Sequence, residues 1–478
     1  MNRRSFLRMT GSTIATLTIG RTIYARHVGR PNLLIIHTDE HNFRTLGCYG
    51  GKIVKTPNID FLAANGAMCT KFYATTPVCS PSRAAFVSGR YPQNTPVVTN
   101  GVPMSDEIVT FAEILRRQGY ATGYAGKWHL DGGGKPQWEP KRQFGFEDNR
   151  YMFNRGHWKK MEDTPAGPRV AARNDKDKPT YAVGGADEKS FTTDWLATRA
   201  IDFVNAHRNE PFCYMVSIPD PHGPNTVRAP YDTMFKASQV SVPSTFYKSK
   251  EQTPGWAPPQ KNLTEKSLKR LMLPYYGMVK CIDDNVGRII AALKKNGVLD
   301  RTIVVFTSDH GDLCGEHKKL NKGVPYEGSA KIPFVMYYPK KVKGGTVINQ
   351  VLMCVDFLPT VLSLMGVKTA GLEQGCDASG LFVGRTDSGW KDIGFMRGTH
   401  DWLCAVTQNH KIVYSQKDVP WLFDLKKDPD ELTNFFDDPQ YSDIVKNLTA
   451  ELTAYCKRYD DPRLEDRKMG PEMKKAVG

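Results

Sequence analysis

The stretch Leu33-Leu34-Ile35-Ile36-His37-Thr38-Asp39-Glu40-His41 indicates how this chain of 478 residues folds. An apolar run without alternation is typical of a strand that is covered on both faces, as in a parallel sheet. Residues 303–311 and 212–223 repeat the pattern, each as an apolar run that ends in ionisable residues. Ligands bind at the carboxyl ends of strands in open α/β sheets. The three polar ends are therefore predicted to converge on one site.

Helical patterns separate these strands. Apolar residues recur at helical spacing from Tyr275 to Leu293, and the following Asn296-Gly297 predicts the helix end. Thr110 to Arg117 predicts a shorter helix. Residues 131–190 and 224–263 are rich in glycine, proline and charge, so we expect long surface loops there that shape substrate access.

The first residues are typical of an export signal. Asn2-Arg3-Arg4-Ser5-Phe6-Leu7-Arg8 precedes a mildly apolar stretch, and Ala25 is a plausible cleavage point. This pattern resembles a twin-arginine signal over residues 1–25, with a basic tail as the alternative. It predicts recognition by the export machinery and a periplasmic or extracellular location. No stretch reaches the roughly 18 apolar residues of a membrane span, so no transmembrane segment is predicted.

The remaining chain is predicted to form two domains. Residues 26–385 carry the strand and helix pattern described above. After about residue 385 the pattern changes to short strands such as Lys411-Ile412-Val413-Tyr414, which predicts a small C-terminal α+β domain over residues 386–478.

The most specific motif is Cys79-Ser80-Pro81-Ser82-Arg83, with Ser88-Gly89-Arg90 downstream. It resembles the signature C/S-x-P-S/A-R, followed by T/S-G-R, of the type I, formylglycine-dependent sulfatases in the alkaline phosphatase superfamily. The alternative is a buried cysteine before an ordinary helix. The resemblance runs from Arg30 to the stretch Leu422 to Pro429. It implies an alkaline-phosphatase-like α/β fold, in which helices flank a large mixed sheet and a small α+β domain follows.

In that family a formylglycine-generating enzyme oxidises the motif cysteine, here Cys79. The resemblance implies that one hydroxyl of the aldehyde hydrate attacks sulfur. Loss of the proton from the second hydroxyl then regenerates the aldehyde and expels sulfate, an exit that a serine or thiol ester lacks.

The resemblance also implies a metal site. Asp39, Glu40, Asp309 and His310 match the positions that bind calcium together with the formylglycine oxygen at Cys79. These side chains offer mostly oxygen donors, which suit calcium or, less expected here, magnesium. The family often has Asp where this chain has Glu40, which is one methylene longer, so Glu40 is either a direct ligand or a solvated acid.

Five further side chains match catalytic positions of the family. Lys127 is expected to contact sulfate and the nucleophile, His129 to handle the proton of the second hydroxyl, and Arg83 to hold the hydrated aldehyde. His222 is expected to protonate the leaving alcohol, and Lys322 to grip sulfate near the leaving oxygen. The alternative for each histidine or lysine is a surface residue or a satisfied core residue.

Several polar neighbours carry no such match. Asp312, Glu316 and His317 follow the second metal motif and are read as loop residues. His41, Asn42 and Arg44 are read as an exposed loop, within possible reach of substrate.

The formal net charge is +15, which favours anionic partners. The chain lacks zinc-finger spacing and an aromatic RNA-binding signature, so a nucleic-acid partner is not expected. Its ten scattered cysteines include no CxxC pair, which argues against structural zinc, and an oxidising compartment would permit disulfides.

Three functions remain open from the sequence. The first is a sulfatase for sulfated carbohydrates, which the set Lys127, His129, His222 and Lys322 favours. The second is a phosphonate monoester or phosphodiester hydrolase of the same superfamily. The third is a sulfated-glycan-binding protein in which Cys79 is never activated. The sugar and the sulfate position stay open.

Overall fold

A computed structural model describes residues 29–385 and 389–478. Its strands in chain order are β1 (Asn32–Asp39), β2 (Ala67–Cys69), β3 (Phe72–Tyr73), β4 (Ala121–Lys127), β5 (Asp148–Phe153), β6 (Met161–Thr164), β7 (Gly167–Val170), β8 (Phe212–Pro221), β9 (Thr302–Ser308), β10 (Lys331–Ile332), β11 (Phe334–Tyr337), β12 (Thr346–Ile348), β13 (Leu352–Met353), β14 (Gly394–Arg397), β15 (Trp402–Val406), β16 (His410–Ser415) and β17 (Trp421–Asp424). Its α-helices are α1 (Pro57–Ala64), α2 (Cys79–Ser88), α3 (Phe111–Arg117), α4 (Thr192–Ala206), α5 (Glu265–Lys295), α6 (Glu327–Ala330), α7 (Phe357–Met365), α8 (Ser379–Phe382), α9 (Ser442–Arg458) and α10 (Met469–Val477).

Eight strands form the main sheet in the order β12-β2-β11-β9-β1-β8-β4-β5. The central strand β1 pairs in parallel with β8 and β9, and every residue of β1 is buried. This confirms the prediction from the unalternated apolar run. Strand β11 runs antiparallel to β9 and β2, so the sheet is mixed. Because β1, β8 and β9 are parallel, their polar carboxyl ends meet at one edge of the sheet.

The long helix α5 begins ten residues earlier than the apolar pattern predicts. Thr264 caps it by accepting a hydrogen bond from the backbone N–H of Ser267 at 3.2 Å, while the Ser267 hydroxyl accepts from the Thr264 N–H at 3.0 Å. This reciprocal box starts the helix at Glu265, and Pro274 lies inside it. The predicted end is confirmed, since Asn296 caps the helix and Gly297 has a φ of 65°.

The reading of residues 131–190 as a surface loop is wrong in part. Residues Asp148–Phe153 form β5, the edge strand of the main sheet beside β4, and β6 and β7 form a hairpin. The sequence of β5 is half polar, because one edge of the strand faces outward, so it lacks the continuous apolar run of the central strands. Residues 224–263 are irregular as predicted, with 3₁₀ turns at Ala237–Gln239 and Ser244–Tyr247.

The C-terminal part contains an antiparallel sheet in the order β14-β15-β16-β17, with α9 and α10 against it. It contacts the loop between β9 and β10: Trp402 Nε1 donates to the carbonyl of Gly323 at 3.1 Å, and the buried Lys411 donates to that of Pro325 at 2.8 Å. The predicted boundary at residue 385 adjoins residues 386–388, which lie outside the described ranges, and it stays a prediction.

Two sequence expectations concern the environment of the protein. The predicted signal, residues 1–25, lies outside the described residues. Among the residues that the structure does describe, none forms a helix long and apolar enough to cross a membrane. All ten cysteines fall within the described ranges, and each is a free thiol.

Helix α5 also fixes the loop that follows β1. The hydroxyl of the buried Tyr275 donates to the carbonyl of Glu40 at 2.8 Å and accepts from the N–H of Asn42 at 2.9 Å. Both backbone groups are buried, so each needs this partner.

We expect Tyr275→Phe to lower the free energy of unfolding by about 1–3 kcal/mol, because it leaves two buried backbone groups without a partner. Urea denaturation followed by circular dichroism measures the change. Tyr276→Phe is the matched control, since the Tyr276 hydroxyl has no hydrogen bond to the described residues. Equal stability of the two variants would contradict the stabilising role given to the hydroxyl of Tyr275.

Candidate active site

Helix α2 places Cys79 and Arg83 in the interior. All ten residues of this helix are buried, and its first residue is Cys79. Residues four positions apart lie on the same helix face, so the thiol and the guanidinium point into one region. The Ser80 hydroxyl, which donates to the carbonyl of His129 at 2.7 Å, ties the helix start to the segment after β4.

The guanidinium of Arg83 connects the ends of four strands. It donates at 3.0 Å to Asp39, the last residue of β1, and at 2.8 Å to Asp309, which directly follows β9. It also donates to the carbonyl of Lys127 on β4 at 2.8 Å and to the hydroxyl of Ser217 on β8 at 2.7 Å. Charge-assisted bonds of this kind are short and strong, so Arg83 sets the relative positions of both carboxylates.

Four side chains offer donors to one metal ion. The ligating atoms of Asp39, Cys79, Asp309 and His310 all lie within 4.8 Å of one another. The Cys79 sulfur lies 3.2 Å from Nε2 of His310. The two carboxylates are the hard oxygen donors that divalent cations such as calcium prefer. The residues present therefore fit a metal ion between the ends of β1 and β9.

Glu40 is not one of these clustered donors. Its Oε2 lies 2.9 Å from Nε2 of His222 and 3.0 Å from Nζ of Lys322. Burial opposes ionisation, but the two cationic neighbours outweigh it and lower the pKa of Glu40 to about 2. Its Oε1 is buried and finds no hydrogen-bond partner within residues 29–385 and 389–478. The assignment of Glu40 as a metal ligand stays a prediction.

A second cluster combines two lysines and two histidines. Nζ of Lys127 donates to Asp39 at 2.5 Å and to Nε2 of His157 at 2.8 Å. The ring of His157 stacks on that of His222 with centroids 3.6 Å apart, and Nζ of Lys322 lies 2.7 Å from Nε2 of His222. The structure thus brings Lys127, His222 and Lys322 together as predicted from their motifs.

The charges of this cluster act on its titrating groups. Burial and Asp39 oppose ionisation of the Cys79 thiol, but Lys127, Lys322 and His310 hold its pKa well below the usual value. Burial also disfavours a protonated His222, yet Glu40 raises the pKa of that ring above its usual value. The site is therefore electropositive where a substrate anion would enter, and Glu40 favours the protonated form of His222.

His129 lies beside this cluster in a strained backbone conformation with a φ of 64°. Its N–H donates to the carbonyl of Asn154 at 2.7 Å, which holds the residue in place. Burial and the charge of Lys127 lower the pKa of His129 to about 4, and a contact with the Cys79 thiol opposes this shift only in part. A neutral imidazole beside Cys79 is suited to accept a proton.

Sequence reasoning missed His157. It also missed the ion pair between Lys159 and Asp220, which holds the chain just before His222. His157 follows β5, which lies in the range 131–190 predicted to be a loop, so no local sequence pattern marks His157 as part of the site. The buried Lys159 donates to Asp220 at 2.5 Å, and the Thr193 hydroxyl donates to the same carboxylate at 2.7 Å. This pair fixes the end of β8, from which His222 projects.

The polar neighbours without a family match are structural. Asp312 accepts from the N–H groups of Cys314 and Asn321 and so shapes the loop that carries Lys322. Arg44 pairs with Glu316 at 3.2 Å. His41 and Asn42 are buried, which corrects their reading as exposed, because Thr45, Tyr275 and the carbonyl of Asp312 bond to them.

Comparison with known proteins agrees with this geometry. The profile of the family described as Sulfatase matches residues 31–367, more than half of the chain. The profile described as N-sulphoglucosamine sulphohydrolase, C-terminal, matches residues 315–458. The chain belongs to the sulfatase family and is a sulfuric ester hydrolase.

Individual relatives are distant in sequence but cover most of the chain. An arylsulfatase of Clostridium perfringens is 29% identical, over 90% of this chain and 96% of its own. An N-acetylglucosamine-6-O-sulfatase of Bacteroides thetaiotaomicron is 26% identical, over 90% of this chain and 87% of its own.

Solved structures confirm the alkaline-phosphatase-like fold. The phosphonate monoester hydrolase of Agrobacterium radiobacter superimposes with a TM-score of 0.74 at 24% identity, covering 90% of this chain and 96% of that one. Since this enzyme shares the architecture, fold alone does not separate sulfate from phosphonate chemistry.

The donor cluster predicts that chelation of divalent cations lowers the melting temperature, because an ion that binds only the folded state stabilises it by mass action. Thermal unfolding with EDTA, followed by readdition of Ca²⁺ or Mg²⁺ alone, measures the effect and ranks the ions. Asp309→Asn should abolish the shift, while Asp443→Asn, on the exposed start of α9, should keep it. A shift that survives Asp309→Asn would place the ion elsewhere.

Proposed function

We propose that this sulfatase hydrolyses sulfate monoesters on sulfated carbohydrates, with Cys79 converted to formylglycine beside a bound calcium ion. The carrying observation is the surroundings of Cys79: its sulfur belongs to one 4.8 Å cluster with donor atoms of Asp39, Asp309 and His310. The positive charges of Lys127 and Lys322 also act on its thiol. The carbohydrate sulfatase among the relatives and the basic charge of the chain support the substrate class.

Two groups would complete the site. Formylglycine, when present at position 79, would supply a hydrated aldehyde as a nucleophile that can be regenerated. Calcium, held by Asp39, Asp309 and His310 with Glu40 as a further candidate, would supply positive charge next to that nucleophile.

The lysines bind the sulfate. Lys127 and Lys322 are buried or nearly so and flank the position of Cys79, so their ammonium groups contact the sulfate oxygens on which negative charge accumulates. Arg83 holds Asp39 and Asp309 and contributes a third positive charge behind the nucleophile.

The histidines move the protons. Glu40 raises the pKa of His222, whose Nε2 lies beside Glu40 and Lys322, so His222 donates a proton to the leaving alcohol oxygen. His129 is uncharged near neutral pH, and it accepts the proton whose loss allows the nucleophile to be regenerated.

We further propose that the chain is exported through a twin-arginine signal at residues 1–25 to the periplasm or the exterior, after a formylglycine-generating enzyme has modified Cys79. Residues 26–385 would then form the catalytic domain and residues 386–478 the C-terminal subdomain. The motif around Cys79 and the sheet that begins at Gly394 support this arrangement. Mass spectrometry of the mature N-terminus and of the Cys79 peptide from the native host tests it, since an intact signal or an intact cysteine would contradict it.

The decisive measurement is release of sulfate and phosphate from sulfated oligosaccharides and phosphate esters by protein co-produced with a formylglycine-generating enzyme. We expect sulfate release that Cys79→Ala abolishes, because the nucleophile is removed. Cys456→Ala, at a buried cysteine of α9, is the control and should retain activity. Release of phosphate alone would favour the phosphonate monoester or phosphodiester hydrolase. Binding of the glycans without turnover, with Cys79 intact, would favour the binding protein.

The role of His222 predicts a dependence on the leaving group. His222→Ala should lower kcat by about 10²–10⁴-fold for a sugar sulfate, whose alkoxide needs a proton, and by less than about tenfold for p-nitrophenyl sulfate. His207→Ala, at a partly exposed histidine that follows α4, is the control and should change neither rate. Equal losses on the two substrates would show that His222 positions the sulfate and does not act as the acid.

A further inference from the structure

The segment between β4 and α4 brings an unpaired cation and an aromatic face to the edge of the site. Lys135 is exposed, and its Nζ lies 4.8 Å from the ring centroid of Tyr181 and 5.6 Å from that of Trp158. Within the described residues Lys135 has no carboxylate partner. Trp158 is buried, whereas Tyr181 is partly exposed, so Tyr181 presents the accessible ring. These cation–π contacts orient the ammonium group of Lys135 but do not neutralise its positive charge.

The loop that carries Lys135 is anchored to the catalytic segment. The side-chain amide of the buried Asn154 donates to the carbonyls of Gly132 and Gly134, each at 3.1 Å. The backbone carbonyl of Asn154 accepts from the N–H of His129. One buried residue therefore sets the position of Lys135 relative to His129.

A row of rings joins this surface to the proposed leaving-group acid. The Tyr181 ring lies 6.5 Å from that of His157, which stacks on His222 at 3.6 Å. The sugar that leaves as the alcohol must lie against His222. On this side of His222, the groups next to a carbohydrate longer or wider than the reacting sugar unit are His157, Tyr181 and Lys135.

We propose that Lys135 and Tyr181 form a subsite for a second anionic group, a sulfate or a carboxylate, on the carbohydrate whose sulfate ester is hydrolysed. This inference rests on the proposed function and deepens it. The ammonium group of Lys135 pairs with the anion, and the face of Tyr181 packs against the apolar face of the sugar ring.

The test compares substrates that differ only in the second anion. Sulfate release is followed from p-nitrophenyl sulfate and from one oligosaccharide backbone in three forms: monosulfated, disulfated, and monosulfated with a uronic acid. Lys135→Ala should lower kcat/KM about tenfold, through KM, for a form with two anions and should leave the other substrates unchanged. The form whose kcat/KM falls shows whether the subsite binds a sulfate or a carboxylate. Lys135→Arg, which keeps the positive charge, should retain most of the wild-type kcat/KM for the forms with two anions.

Lys295→Ala is the matched control, because Lys295 is an exposed lysine at the end of α5, seven residues before β9 begins and thus at the opposite edge of the sheet. Tyr181→Ala should weaken all oligosaccharides but not p-nitrophenyl sulfate, and Tyr181→Phe should keep their affinity. Equal effects of Lys135→Ala and Lys295→Ala on the dianionic forms would overturn the subsite.

A binding measurement separates this inference from the proposed function. Calorimetry with the Cys79→Ala protein reports affinity for the same three oligosaccharides without turnover. A wild-type enzyme that cleaves p-nitrophenyl sulfate but no carbohydrate would refute the proposed substrate class. Unchanged affinity of the Cys79→Ala, Lys135→Ala protein for dianionic forms would refute the subsite alone, and about tenfold weaker binding would support it.

Discussion

The structure depends on the burial of Arg83 between Asp39 and Asp309. Both carboxylates are almost inaccessible to water at the ends of neighbouring parallel strands, where two like charges would repel each other and lack hydration. Arg83 offsets this repulsion by donating hydrogen bonds to both carboxylates. The arrangement makes the carboxylates available to a cation on their other side, next to Cys79. Loss of either partner would leave an uncompensated charge in the interior.

Glu40, Lys322 and His222 form a second ionic group beside that of Arg83, Asp39 and Asp309. Glu40 turns away from the donor cluster, in a left-handed backbone conformation, and meets Lys322 and His222. The same acid therefore holds Lys322, the lysine proposed to bind sulfate, and raises the pKa of His222, the proposed leaving-group acid. Tyr275 secures the backbone on both sides of this turn, so helix α5 helps to hold Glu40 in this position.

The C-terminal sheet takes part in the site through the loop of Lys322. Trp402 and Lys411 bind the carbonyls of Gly323 and Pro325, and Lys411 is itself held by the carboxylates of Glu327 and Glu431. This buried ionic network joins the two parts of the chain. It connects the small antiparallel sheet to the main sheet, with which it shares no strand pairing among the described residues.

The sequence by itself determined the central strands, the polar residues at their ends and the motif at Cys79, because each is a local pattern of apolar runs or spaced functional groups. Only the tertiary structure decided the place of β5, the role of His157 and the direction of Glu40. Strand β5 is stabilised by pairing with β4, a partner that its own polar sequence does not specify. His157 and Glu40 acquire their roles from contacts with residues 30 to 282 positions away. Such contacts depend on how the strands align, which no local pattern records.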